Sequence, residues 1–205
     1  QLRSLRNGAG ASRAAGPETV ERSEEHEFDS GSAAEKNSYS TLCRAGLESF
    51  LISGSTLDLP QAVRPEISIV LVLFNRAELT LACLRSIAEN YNEEIEVVIV
   101  DNSSSDQTSR LLDRLHGARI FRNKTNRHFL AAANQAAKEC RGDYVLFLNN
   151  DAQLVPGAVR SALRTIKATP NIGAVGAKII SISGNLQEAG SIVWRDGSCT
   201  GYGRG

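Results

Sequence analysis

Tyr144-Val145-Leu146-Phe147-Leu148 is a run of apolar and aromatic residues that passes directly into Asn149-Asn150-Asp151. A run this short and this apolar reads as a strand buried on both faces, as a parallel sheet covered by helices demands. In open α/β sheets ligands bind outside the carboxyl ends of the strands, so Asp151 stands where a ligand would meet it. A carboxylate there suits a hard divalent cation shared with a substrate diphosphate. The plainer reading is a turn made of turn-forming residues. The run alone does not separate the two.

The pattern around it does. From Glu66 onward strand and helix alternate: strands over 67–74, 96–100 and 119–122, helices over 78–91, 107–115 and 129–140. Pro156 suits the first turn of a further helix to about Ala168, residues 173–180 read as another strand, and 190–194 as one arm of a hairpin. Alternation of this kind implies an α/β fold with a mostly parallel sheet. Residues 1–40 have few aromatics and many Ser, Ala, Gly and Glu, and read as a disordered arm or linker. A short amphipathic helix over 41–53, with Leu47, Phe50 and Leu51 on one side, and a linker to residue 64 lead into the folded domain over 65–205.

Three strands end in polar clusters that should share one sheet edge. They are Phe74-Asn75-Arg76, then Asp101-Asn102-Ser103-Ser104-Ser105-Asp106, then Asn149-Asn150-Asp151. Asn75 with Glu78, and Ser103 with Asp106, have the spacing of helix N-cap pairs, and a capped helix start is also an anion site. Asp101 precedes its cap at the strand tip, where an acid can accept hydrogen bonds from a ribose or a base N–H. A dinucleotide-binding turn would need glycines after the first strand, and residues 75–80 contain none. No Walker loop and no paired acids follow that strand either. By elimination a metal ion on Asp151, Mg²⁺ in type, is the candidate for neutralising a diphosphate.

Bulk properties remove other classes. Lys+Arg and Asp+Glu both number 23 in 205 residues, so no basic excess points to nucleic acid. The apolar runs fall well short of the roughly 20 residues of a membrane helix, and no apolar signal core opens the chain. Cys43, Cys83, Cys140 and Cys199 are scattered, as free thiols in a reducing compartment are, which suggests the cytoplasm. Methionine is absent and the chain stops within Gly203-Arg204-Gly205, which reads as a piece of a longer polypeptide.

Taken together, these residues resemble family 2 glycosyltransferases of the GT-A fold. The likeness runs through Ser68-Ile69-Val70 to Phe74-Asn75-Arg76, Val98-Ile99-Val100-Asp101 to Asp106, Asn123 to Asn134, and Gly142-Asp143-Tyr144 to Asp151. It covers about 65–205, and Gly184 to Gly190 is similar to the bacterial rhamnosyltransferase-like branch that builds cell-surface polysaccharide. The resemblance implies a Rossmann-like three-layer α/β/α domain and inverting transfer of a sugar from a UDP- or dTDP-sugar to a glycan or lipid-linked glycan acceptor. It implies a Mg²⁺ or Mn²⁺ cofactor on Asp151, and a cytoplasmic location with peripheral association at the inner membrane face. Phe74, Asn75 and Arg76 would line the nucleotide pocket and Asp101 would read the base. Asn126 and Asn134 would shape the far wall, with Asn149 and Asn150 near the ribose or sugar hydroxyls. His128 stands where the family usually has glycine, and Asn149 where many relatives have a first Asp. The catalytic base is unassigned and is expected beyond Gly205; Glu188 is a poor candidate. Competing readings are a nucleotidyltransferase, which lacks its glycine-rich loop here, and a non-catalytic interaction module.

Overall fold

The computed structural model describes residues 33–202 apart from 92–93, 169 and 197. The chain runs α1 (Ala33–Ile52), β1 (Leu57–Asp58), β2 (Ile67–Leu73), α2 (Ala77–Asn90), β3 (Ile95–Asp101), α3 (Thr108–Leu112) and β4 (Leu115–His116). It continues through β5 (Ala118–Arg122), α4 (His128–Glu139), β6 (Tyr144–Phe147) and α5 (Ala158–Ala168). The short strands β7 (Ile179–Ile180), β8 (Leu186–Glu188), β9 (Ser191–Val193) and β10 (Cys199–Gly201) follow.

The central sheet has the order β5-β3-β2-β6 and every pairing in it is parallel. Strands β2 and β3 are apolar at nearly every position because both of their faces are covered. Ile67, Ile69, Leu71 and Leu73 alternate with Val70 along β2, and the two sets enter separate cores. On one face Leu81, Leu84 and Ile87 of α2 meet Leu47, Phe50 and Leu51 of α1, with Leu111 and Val159 beside them. On the other, Ala132 and Ala136 of α4 lie against Val70, Val98 and Val100. Small alanines let α4 approach the sheet closely. The result is the mostly parallel sheet expected from the alternating pattern, in the three-layer α/β/α arrangement that the resemblance implies.

Several local expectations are corrected. Strand β6 is not buried on both faces: Val145 is 40% and Phe147 52% exposed. It pairs with β2 alone among the described residues, so it is an edge strand, and only Tyr144, Leu146 and Leu148 turn toward the core. The arm expected over 1–40 lies outside the described residues up to 32, but from Ala33 the chain is helical. The stretch expected as a linker is also packed: β1 pairs with β4 in parallel and Leu59 is buried. The strand expected over 173–180 is reduced to Ile179–Ile180, paired with β8. Strands β9 and β10 form the expected hairpin.

Two glycines are required by close approach. A Cβ on Gly142 would lie 2.6 Å from the Ser68 nitrogen, and one on Gly117, at φ 84°, would lie 2.2 Å from the Leu59 carbonyl oxygen. The first lets the chain enter β6 against the start of β2. There Ser68 Oγ accepts the Gly142 N–H at 2.9 Å and donates to buried Glu96 at 2.6 Å.

Candidate functional site

The parallel register brings the three polar strand ends to one sheet edge. Leu73 lies opposite Asp101, and Val70 opposite Phe147, so the residues that follow β2, β3 and β6 emerge together. Beyond β2 the chain turns sharply through two left-handed residues, Asn75 (φ 62°) and Arg76 (φ 63°). Neither is glycine, and side-chain bonds stabilise the turn. The Asn75 N–H donates to Ser104 Oγ at 2.8 Å, and Asn75 Oδ1 accepts the Ser105 N–H at 2.8 Å.

The N-cap pairs expected from spacing are not the ones formed. Asp106 takes over both helix starts: Oδ2 accepts the Ala77 N–H at 3.0 Å, opening α2, while Oδ1 accepts the Thr108 N–H at 2.9 Å, opening α3. Burial pushes the Asp106 carboxyl up, but the bonds from Thr108 and Ala77 outweigh it and hold the group below its usual value. Glu78 is turned to Arg76 instead, at 3.0 Å. Ser103 Oγ donates to the Lys124 carbonyl.

Asp101 is buried, and its Oδ1 accepts the Ser104 N–H at 3.0 Å. Next to it, Asn102 organises the far wall in a way its place in a run of turn formers conceals. Its Nδ2 donates to Asn126 Oδ1 at 2.7 Å and to the His128 carbonyl at 3.3 Å. Its Oδ1 accepts from the Arg127 N–H at 3.0 Å and Asn123 Nδ2 at 3.1 Å. Asn126 Oδ1 also accepts the His128 N–H at 2.8 Å. His128 has φ 60°, the conformation glycine adopts most cheaply. Asn134 is exposed on α4 and no hydrogen bond joins it to this network among the described residues.

On the other side of β2, Asn150 Nδ2 donates to Thr80 Oγ1 at 2.9 Å and to the Asn75 carbonyl at 3.3 Å. The structure therefore links Asn150, Asn75, Asp101, Asn102 and Asn126 through one continuous set of loops. Phe74 is 50% exposed beside them. Asn149 and Asp151 are exposed, and Asp151 makes no ion pair among the described residues. Beneath them lies buried Cys83, whose Sγ donates to the Asn149 carbonyl at 3.7 Å. Burial, with the Asp151 charge adding to it, pushes this thiol up to about 12.

Among the described residues no group of three or more His, Cys, Asp or Glu side chains could hold a metal ion by itself. A lone exposed carboxylate at the sheet edge nevertheless fits a Mg²⁺-type ion, which typically takes one or two protein carboxylates and completes its shell with phosphates and water. Asp151 would hold it.

Residues 68–197 match the family described as Glycosyl transferase family 2. The O-antigen biosynthesis protein RfbC of Myxococcus xanthus is 31% identical over 137 residues, which cover 65% of this chain and 11% of that protein. GalNAc(5)-diNAcBac-PP-undecaprenol beta-1,3-glucosyltransferase of Campylobacter jejuni is 26% identical over 130 residues, 60% of this chain and 41% of that one. Among solved structures, a mannosyltransferase from Pyrobaculum calidifontis, PcManGT in complex with GDP-Man and Mn2+, is similar with a TM-score of 0.48 at 20% identity. That likeness covers 68% of this chain and 45% of the mannosyltransferase. The chain thus spans less than half the length of each of these relatives. On the match over 68–197, the chain belongs to glycosyltransferase family 2.

Proposed function

We propose that this domain binds a nucleotide sugar, of the UDP or dTDP type, and takes part in transferring its sugar with inversion to a glycan or lipid-linked glycan acceptor during cell-surface polysaccharide synthesis. The observation that carries this reading is the exposed Asp151, which has no ion pair among the described residues, on the same sheet edge as buried Asp101, with the Asn75 turn between them. In this reading Asp101 accepts from the base or ribose through the carboxylate oxygen that Ser104 leaves free, and Phe74 and Arg76 border the nucleotide. Asn75 and Asn150 hold the floor of the pocket, Asn126 and Asn134 its far wall, and Asn149 meets sugar hydroxyls. Asp151 holds Mg²⁺ or Mn²⁺, which when bound would offset negative charge on the departing diphosphate. The named acceptor class of the Campylobacter relative, a diphosphate-linked polyprenol glycan, supports a lipid-linked acceptor here. Work on such an acceptor would place the protein in the cytoplasm, peripheral to the inner membrane face. No helix of the described residues is long and apolar enough to cross a membrane.

The test is calorimetry with UDP and dTDP, with Mn²⁺ and with excess chelator. Binding that requires the ion is expected, and equal binding in chelator would overturn the metal role. Turnover of a panel of nucleotide sugars with a lipid-diphosphate glycan acceptor then tests transfer.

A further inference from the structure

Two helices hold the turn that carries Asp151. Helix α2 holds it through three contacts. Cys83 Sγ donates to the Asn149 carbonyl, Thr80 Oγ1 accepts from Asn150 Nδ2 at 2.9 Å, and Ser86 Oγ accepts the Leu154 N–H at 3.0 Å. Helix α1, which lies outside the residues matched to the family, reaches the same turn: Gln153 Nε2 donates to the Tyr39 hydroxyl. Cys43 lies one turn further along α1. Below them Leu47, Phe50 and Leu51 seat α1 on α2, and the Arg85 guanidinium lies 5.6 Å from the centre of the Phe50 ring. Asp151 itself, in the middle of the gripped segment, is left exposed.

We infer that Tyr39 is a positioning residue: through Gln153 it fixes the turn that presents Asp151, which makes α1 a working part of the donor site. The inference rests on the donor reading above. A carboxylate that must meet both an ion and a diphosphate gains affinity when its backbone is already held in place, because less ordering is left to accomplish on binding. The exposed turn has few apolar contacts of its own to supply that order.

Tyr39→Phe removes one oxygen and leaves the ring packed, and Gln153→Leu removes the other partner. The whole chain is used for both. The first measurement is hydrogen exchange at the Ala152 and Leu154 amides, which donate to the Asn149 carbonyl and Ser86 Oγ. The second is calorimetry with UDP at varied Mn²⁺. Each variant should exchange faster at these two amides and bind UDP about three- to tenfold more weakly in Mn²⁺, the loss one hydrogen bond commonly carries. Binding in chelator and the melting temperature should not move. The double variant should lose no more than either single one, as expected when both act through one contact. Unchanged exchange, or an equal loss with and without Mn²⁺, overturns the inference. If the unaltered protein binds no UDP in Mn²⁺, the donor reading itself fails. Faster exchange in that case would mark the Tyr39 contact as structural only, which also overturns the positioning role.

Discussion

Asn75 and Ser105 are joined by a 2.8 Å hydrogen bond from the Ser105 N–H to Asn75 Oδ1, which ties the end of one central strand to the loop after its neighbour. Asn75 does this from a left-handed backbone that asparagine tolerates better than most side chains. Asn75→Leu should therefore lose about 2–3 kcal/mol, combining one hydrogen bond with a left-handed penalty. Asn75→Gly should lose only about 1 kcal/mol, since glycine accepts the turn. Urea denaturation midpoints compare the two, and equal losses would show that the turn geometry is not the constraint.

Asp101 has a structural bond and a candidate ligand role at once. Asp101→Asn keeps an oxygen for the Ser104 N–H but removes the charge. It should melt within about 1 kcal/mol of the parent while UDP affinity falls on the order of tenfold, since hydrogen bonds to charged groups are worth about 1.5–3 kcal/mol. A variant that melts early and binds UDP normally would reduce Asp101 to a loop anchor.

Gly142→Ala should be among the most damaging single-methyl additions. Its Cβ would meet the Ser68 nitrogen at 2.6 Å and the Ile67 carbonyl carbon at 2.8 Å, both backbone atoms of a central strand that cannot swing aside. A loss of about 3 kcal/mol is expected, at the upper end of the usual overpacking cost, and chemical denaturation reads it directly.

Asp106 makes stability depend on acidity. Its folded value lies below the usual carboxylate value because its hydrogen bonds outweigh burial. The contribution is thus present above the unfolded value, near 3.9, and is lost as pH falls through the lower folded value. Stability should decline below about pH 4, and Asp106→Asn should be weaker at neutral pH with a flatter decline. Denaturation series at pH 3 and pH 6 separate the outcomes.

The helix and strand alternation, the parallel sheet and the shared edge of the three polar ends follow from local patterns strong enough to survive packing. Other features depend on partners distant in sequence. Val145 and Phe147 look identical in pattern to the buried residues of β2, and only the place of β6 at the sheet edge exposes them. The first half of α1 has the polar composition of a solvated arm, and its order comes from contacts such as Tyr39 with Gln153, 114 positions away. Asn102 sits in a run of turn formers, so its role as the hub of the Asn126 and His128 loop cannot be told from its neighbours. Asp106 has the spacing of a local cap, yet it also caps a helix that precedes it in the chain.

A stretch of family similarity and a folding unit need not begin at the same residue. The similarity starts at residue 68, yet Leu47, Phe50, Leu51 and Leu59 share one core with Leu84 and Ile87. At about 1.5–3 kcal/mol for each large apolar side chain buried, removing those four forfeits roughly 6–12 kcal/mol. That rivals the entire net stability of an ordinary domain, about 5–15 kcal/mol. Trimming the protein to the family's margin would strip α2 of its cover and leave a naked apolar stripe in water. Insolubility of such a product would report on where the cut was made and say nothing about the transferase.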